Sequence, residues 1–232
     1  AFERRAEASE HVRGRVRLAT AENLANFLLI PALPHLRARH PELTVEIVTD
    51  IRSANLHRRE ADLALRLVRP TQGNVTIKRV GTMSYGLYGS VAYLAGRNDR
   101  STEARGKMGR DRARFDADDF IAWSETYADL PAAQWIERTL EGRAPALVAT
   151  SLYAQVIAAR EGIGLAVLPC FLASTEPTLR RVLSEVDTIA QELWLAVHTD
   201  LTASARVRAV VNFIEKTVAE RAPALEGQQR FQ

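Results

Sequence analysis

The chain has 232 residues, of which 47% are hydrophobic and 25% are charged, so it can bury a substantial core and has the composition of a globular protein. Its net charge of +3 is too small to indicate nucleic-acid binding by itself. One cysteine, Cys170, excludes an intramolecular disulfide. No apolar run approaches the roughly 18 residues of a membrane span, and the N-terminus does not resemble a secretory signal. We therefore expect a cytoplasmic protein without membrane contact.

The first half of the chain alternates strand-like and helix-like segments. Apolar stretches predict strands at 16–20, 43–49 and 61–66, and the second of these is strongly β-branched. Pro31 and Pro34 are tolerated in a first helical turn, so they predict a regular helix that begins near Ile30, with irregular backbone before it. A short polar helix is predicted at 55–60. This β-α-β-α-β order predicts a parallel sheet with right-handed crossovers.

A second set of elements follows Tyr93. Residues 95–118 are rich in Arg and Asp without apolar periodicity, which predicts a loop or a frayed helix. Strands are predicted at 120–123, 147–149, 163–168 and 193–197, and helices at 132–140, from 150 or 151 to 160, and around 207–218. Gly162 is expected to end the second of these helices as a left-handed residue.

No pattern in the sequence indicates catalysis or a metal site. The five histidines and the single cysteine lack the spacing of metal ligands, and neither a GxSxG motif nor a phosphate-binding glycine loop occurs. Cys170 is better interpreted as a buried small hydrophobe than as a redox sensor. We expect no enzymatic activity, no cofactor and no bound metal.

Five segments, in this order and spacing, resemble the effector-binding domain of LysR-type transcription regulators. They are GRVRLATAENLANFLLIPALPHLRARHPELTVEI from Gly14, ADLALR at 61–66, YGLYGSVAYLA at 85–95, AAREGIGLAVLPCFLA at 158–173 and ELWLAVHTDLTASARVRAVVNFI at 192–214. The resemblance runs from about Gly14 to Ala219, and it departs from the family where Val91 replaces a usual proline. It implies an α/β, two-lobed, periplasmic-binding-protein-like (type 2) fold with two crossover strands.

The resemblance also implies a division of the chain. Residues 1–14 would end a linker helix, 15–88 and 193–219 would form lobe I, 89–192 lobe II, and 220–232 a polar tail. A small-molecule effector, either an organic acid or an aromatic metabolite, would bind between the lobes. DNA would be contacted only through an N-terminal winged helix-turn-helix that this sequence does not contain.

The candidate ligand site follows from the sheet. In open parallel sheets, ligands bind beyond the carboxyl ends of the strands, near helix N-termini. The candidate residues are Ala21, Glu22, Asn23, Arg52, Ser53, Arg66, Ser124, Glu125 and Thr150. The two arginines suit a carboxylate, whereas the two glutamates suit a hydroxyl or an amine. Structural alternatives stay open: a salt bridge for Arg66, helix capping for Ser124 and Thr150, and simple solvation for the glutamates.

The resemblance also implies that the chain forms a homodimer, and the full-length protein a tetramer. The first helix of lobe I would meet a lobe II helix of the partner. Apolar residues at three- and four-residue spacing mark these helices: Leu29, Leu33 and Leu36 on one, and Leu152, Val156 and Ala159 on the other. The same stripes can equally be the cores of the individual lobes.

Two other classes of protein use this architecture. A solute-binding protein of a transport system would need a signal or lipid anchor, and an enzyme such as a deaminase or dehydratase would need a convergent acid/base pair. The sequence shows neither feature, so a transcription-regulator domain is the favoured interpretation.

Overall fold

The computed structural model describes residues 12–49, 61–71, 73–96, 115–182 and 189–228. They fall into two compact units. Unit 1 contains the chain up to Thr82 together with Gln191–Ala222, and unit 2 contains Met83–Ala190 together with the chain from Pro223. The chain passes from one unit to the other at 82/83, 190/191 and 222/223. The resemblance led us to expect lobe boundaries at 88/89 and 192/193 instead of the first two.

The elements of the described residues alternate between strands and helices. The strands are β1 (Gly14–Thr20), β2 (Leu43–Val48), β3 (Leu63–Arg66), β4 (Val75–Ser90), β5 (Ile121–Trp123), β6 (Leu147–Ala149), β7 (Ala166–Pro169), β8 (Leu179–Arg181) and β9 (Ala190–His198). The helices are α1 (Glu22–Leu24), α2 (Leu33–Arg39), α3 (Pro131–Leu140), α4 (Leu152–Arg160), α5 (Cys170–Ala173), α6 (Ala205–Glu220) and α7 (Ala222–Leu225). None of the described helices is long and apolar enough to cross a membrane.

Unit 1 is organised around β1, which pairs in parallel with β2 on one side and with β3 on the other. Strand β3 in turn pairs antiparallel with β9, and β4 continues the sheet beyond β9. Leu63, Ala64 and Leu65 of β3 are all 0% exposed, so both faces of this strand are buried. The predicted parallel sheet of the first three strands is confirmed.

Unit 2 contains the second part of β4, which pairs antiparallel with β7 and β8, and a separate parallel pair, β5 and β6. Helix α4 ends as predicted. Gly162 has a φ of +79°, its N–H donates to the Ala159 carbonyl, and the N–H of Ile163 donates to the Ala158 carbonyl. These two hydrogen bonds form a Schellman motif, which requires a residue in the left-handed region.

The segment after β1 is helical earlier than the prolines led us to predict. Helix α1 is followed by a π turn (Ala25–Leu29) and a 3-10 turn (Ile30–Ala32), and regular helix α2 begins at Leu33. Because Pro31 has no N–H, the usual i+4 hydrogen bond to Phe27 cannot form. The backbone instead widens, with the N–H of Ile30 donating to the Ala25 carbonyl. Regular helix therefore begins three residues after the predicted start near Ile30, and the backbone before it is irregular as predicted, although it is helical rather than extended.

Of the other predicted elements, some are present and some differ in extent. The predicted strands at 147–149 and 193–197 are present, whereas the predicted strand at 163–168 begins only at Ala166. Strands β4 and β8 and helix α5 were not predicted. The predicted helix at 55–60 and most of the predicted loop at 95–118 lie outside the described residues.

The residues after α6, which we expected to be a polar tail, pack on unit 2. Ala224 and Leu225 of α7 are 5% and 0% exposed. Gly227 follows with a φ of +71°, and a Cβ atom added to it would lie 2.9 Å from the Cys170 Sγ. Cys170 is itself 2% exposed, as its interpretation as a buried hydrophobe requires. The residues from Pro223 to Gln228 thus form a C-terminal strap over this thiol.

Replacing Gly227 with alanine should loosen the strap. The positive φ disfavours any side chain by about 1–2 kcal/mol, and the new Cβ meets the Cys170 side chain. We expect a lower unfolding midpoint and faster reaction of Cys170 with a thiol reagent under native conditions. Gly142→Ala is the matched control, because Gly142 has a φ of +87° but open space around its Cα. Equal thiol reactivity in the two variants would contradict the proposed packing.

Candidate functional site

In unit 1, the parallel pairing of β1 with β2 and β3 brings the carboxyl ends of three strands to one edge of the sheet. Thr20 is the last residue of β1 and is paired in register with Leu65. It is 4% exposed, and its Oγ1 is buried without a hydrogen-bond partner among the described residues. Thr20 was not predicted as a site residue, because in the sequence it is part of the strand rather than a separate polar end.

Arg66 ends β3, one residue beyond the partner of Thr20, and lies opposite Trp194 of β9. Its side chain is half-buried, and loss of hydration lowers the pKa of its guanidinium from the usual value. An arginine nevertheless keeps its positive charge at neutral pH. A second guanidinium, that of Arg69, lies 5.2 Å from the centre of the Trp194 ring. Arg69 was not among the predicted residues, and it adds a second positive charge near this edge.

The remaining predicted residues of unit 1 are spread around the same strand end. Ala21 is the residue before α1, Asn23 is half-buried, and Glu22 is exposed. The predicted ligand residues Arg52 and Ser53 lie outside the described residues.

In unit 2, the carboxyl end of β5 carries two buried polar atoms. In the part of the chain that the structure describes, neither the Trp123 Nε1 nor the Ser124 Oγ has a hydrogen-bond partner. Ser124 directly precedes a 3-10 turn (Glu125–Tyr127), yet its side chain makes no capping hydrogen bond. Helix capping therefore does not explain Ser124. The Trp123 and Tyr127 rings lie 5.2 Å apart and are tilted by 58°, which gives this edge an aromatic wall.

Strand β6 ends beside β5. Ser151 and Gln155, which follow β6, already use their side chains in hydrogen bonds. Ser151, not Thr150, caps helix α4, since its Oγ accepts a hydrogen bond from the Ala154 N–H at 3.5 Å. Thr150 and Glu125 are exposed. Gln155 is 1% exposed, and its Nε2 donates to the Ala122 carbonyl at 3.4 Å. Trp123 and Ser124 are half-buried residues, and their buried Nε1 and Oγ atoms keep unused hydrogen-bonding capacity at this edge.

The proposed dimer-contact residues need correction. Leu29, Leu36, Val156 and Ala159 are 0%, 6%, 1% and 0% exposed, so they are core residues of their own units and offer a partner almost no surface. Leu33 and Leu152 are half-buried. The exposed apolar residues near these positions are Ile30 (45%), Tyr153 (49%) and, on β6, Val148 (55%).

The described residues contain no group of three or more His, Cys, Asp or Glu side chains placed to hold a metal ion. Besides Asn23 and the exposed carboxylates of Glu22 and Glu125, the polar groups at the two strand edges are hydroxyls, an indole N–H and guanidiniums. All of these can donate hydrogen bonds, and the guanidiniums add positive charge. The two edges are therefore suited to acceptor groups of an organic molecule.

Comparison with known proteins agrees with this architecture. The family model of the LysR substrate binding domain matches residues 9–219. The chain belongs to this family. It is therefore the effector-binding domain of a LysR-type transcription regulator, with the periplasmic-binding-protein-like type 2 fold.

Individual relatives support the same assignment. The Mau operon transcriptional activator of Paracoccus denitrificans is 27% identical over 214 residues, which cover 92% of this chain and 69% of that protein. The LysR-type regulator CrgA from Neisseria meningitidis has a similar fold, with a TM-score of 0.73, 18% identity and coverage of 90% of this chain and 70% of that one. The CrgA regulatory domain alone gives a TM-score of 0.69 at 19% identity, over 88% of this chain and 98% of that one.

The unused hydroxyl of Thr20 should reduce the stability of the ligand-free domain. We expect Thr20→Val, which keeps the side-chain shape, to raise the free energy of unfolding by about 1–2 kcal/mol. Thr217→Val is the matched control: Thr217 is also 4% exposed, but its Oγ1 donates to the Phe213 carbonyl at 2.8 Å. That variant should lose about 0.5–1.5 kcal/mol. Urea denaturation measures both, and a loss of stability in Thr20→Val would show that its hydroxyl has a partner.

Proposed function

We propose that this effector-binding domain binds a small organic anion, an organic acid or a carboxylated aromatic metabolite, at its polar strand ends. The observation that carries the proposal is the presence, at strand ends in each unit, of buried polar atoms that have no partner among the described residues: the Thr20 Oγ1 in unit 1, and the Trp123 Nε1 and Ser124 Oγ in unit 2. A buried polar group without a partner costs about 1–3 kcal/mol. A ligand that supplies acceptors to these atoms recovers that energy.

The chemistry of the donors supports an anion rather than an amine. An indole N–H and a guanidinium can only donate, so they bind acceptors such as carboxylate oxygens. Arg66 and Arg69 add positive charge at the unit 1 edge, and the half-buried position of Arg66 makes its charge less screened by solvent. Trp123 and Tyr127 suit an apolar or aromatic body.

The proposed output is a change in the arrangement of the two units. A ligand can shift that equilibrium only if it binds one arrangement more tightly than the other, as a molecule contacting both edges would. In the full-length regulator, such a change would alter the spacing of DNA-binding domains, which lie outside this sequence. The Paracoccus relative is a transcriptional activator, which supports a role in transcription and hence a cytoplasmic location.

The ligand is best found by a thermal-shift screen of organic acids and aromatic metabolites, since a ligand at a hundred times its Kd adds about 2.7 kcal/mol. For a confirmed ligand, calorimetry on Arg66→Ala should show a loss of about 1.5–3 kcal/mol, and Ser124→Ala a smaller loss. Arg160→Ala, a change at an exposed residue that pairs with Glu161 on α4, is the control and should bind normally. Wild-type affinity in both site variants would remove these residues from the site.

The proposed coupling between ligand binding and the arrangement of the two units is tested by a separate experiment. We expect small-angle scattering to show a smaller radius of gyration with the confirmed ligand than without it. In the full-length protein, the same ligand should change the DNase footprint on the operator. An unchanged scattering curve together with an unchanged footprint would leave binding intact but reject the transmission step.

We further propose that the domain forms a homodimer, and the full-length protein a tetramer. The support is the exposed apolar surface formed by Tyr153 and Val148 in unit 2 and by Ile30 in unit 1. Strand β6 also pairs only with β5 among the described strands, and an open sheet edge readily meets another chain. A twofold contact would use these surfaces twice.

Tyr153→Glu should convert the dimer to a monomer without unfolding the domain, because Tyr153 is 49% exposed. Val156→Glu is unsuitable for this purpose, since a charge at a residue that is 1% exposed would unfold the domain. Val68→Glu is the control, as Val68 is 70% exposed in unit 1. Sedimentation at about 50 µM should show wild type and control as dimers, as even a modest micromolar affinity requires. A monomeric wild type would reject the interface.

A further inference from the structure

Helices α2 and α6 of unit 1 enclose a groove with a volume of about 420 Å³. Leu36, which is 6% exposed, and Phe213 give it an apolar floor, and the small side chains of Ala32 and Ala209 leave it open. Thr217 also lines the groove, but its hydroxyl is already bonded to the helix backbone. The floor is therefore apolar and needs no polar partner.

The Arg39 guanidinium gives the rim of the groove a positive charge. Arg39, His35 and His40 line the rim, and within the described part of the chain their side chains form no hydrogen bond or ion pair. Lys216 and Glu220 complete the charged rim and pair with each other at 3.6 Å, although both side chains are more than 60% exposed. An exposed pair of this kind contributes little stability and separates readily.

Part of this charge has a structural explanation. Arg39 lies in the last turn of α2, where a cation is favoured by the partial negative charge of the helix end. That explanation applies equally to Arg37 in the same turn, which does not line the groove. It does not explain why His35, His40 and Lys216 surround the same apolar floor.

We infer that the α2–α6 groove is a second small-molecule site, which takes an amphipathic carboxylate. The apolar body of such a ligand would lie on Leu36 and Phe213, and its carboxylate would reach the Arg39 guanidinium, which can donate two parallel hydrogen bonds. The volume of the groove falls within the range of small-molecule pockets, roughly 300–1,000 Å³. None of its lining residues belongs to the two strand edges, so the site is independent of the proposed effector site.

Octanoate is the test ligand, with 1-octanol as a probe that lacks the charge and inorganic phosphate as one that lacks the apolar body. Calorimetry should show octanoate binding at least about tenfold more tightly than either control, the difference expected from one charged hydrogen bond. Arg39→Ala should weaken octanoate by about tenfold, and Ala209→Leu, which fills the groove, should abolish binding. Arg37→Ala is the matched control and should leave the affinity unchanged.

Arg66→Ala separates this proposal from the proposed function. Octanoate binding that survives Arg66→Ala but not Arg39→Ala supports the groove, whatever the outcome for the effector. Binding that is lost in Arg66→Ala and kept in Arg39→Ala would place octanoate at the strand edge and overturn the inference. Equal affinity in Arg39→Ala, Arg37→Ala and wild type would also overturn it. A lower sedimentation coefficient of ligand-free Ala209→Leu would show that a second copy of the chain covers the groove, with the same consequence.

Discussion

Strand β1 has a parallel neighbour on each side, and the position of the polar residues in unit 1 depends on this arrangement. Parallel neighbours must be joined by crossovers, so the carboxyl ends of the strands meet at one edge of the sheet. Thr20 is enclosed at that edge because it is the last residue of the central strand. The antiparallel addition of β9 then brings Trp194 opposite Arg66 and provides the ring over which Arg69 lies. A hydroxyl and two guanidiniums from distant parts of the chain are thereby gathered near one strand end.

Unit 2 also places polar atoms at the ends of parallel strands, although its parallel sheet has only two strands among the described residues. The parallel pair β5 and β6 ends beside Ser124 and Trp123, whose polar atoms are buried and unused. In a domain selected for stability alone, such groups would be hydrogen-bonded or replaced. Gln155 and Thr217 show the first outcome, since each donates a hydrogen bond to a backbone carbonyl. The persistence of unused polar atoms at the strand ends of both units is typical of a site whose ligand completes the hydrogen bonding, because binding and ligand-free stability make opposite demands on the same atoms.

Elements with one clear periodicity or one strong end signal were predictable from sequence. The first three strands of unit 1, helix α6 and the stop at Gly162 are of this kind. Strand β4 was missed because its character changes along its length: residues up to 82 are mostly exposed or half-buried, whereas Met83–Ser90 is fully buried. The apolar stripes could not distinguish a lobe core from a partner contact, since both have three- and four-residue spacing. Only burial separates Val156, at 1% exposure, from Tyr153, at 49%. Thr20 was missed because its importance depends on a buried hydroxyl that has no partner among the described residues. No sequence pattern shows whether a hydroxyl has a hydrogen-bond partner.

The C-terminal strap adds a constraint to the proposed rearrangement of the units. The chain changes unit three times, at 82/83, 190/191 and 222/223. The first two passages lie within β4 and at the start of β9, where ladder hydrogen bonds restrain the backbone. At the third, α6 ends and α7 begins with Arg221 alone between them. Leu225 and Gly227 hold the strap within unit 2, so Arg221 is the single residue between the long helix of unit 1 and the short helix that leads into unit 2. Two connecting strands are therefore an incomplete description of this domain, because the chain passes between the units at three places.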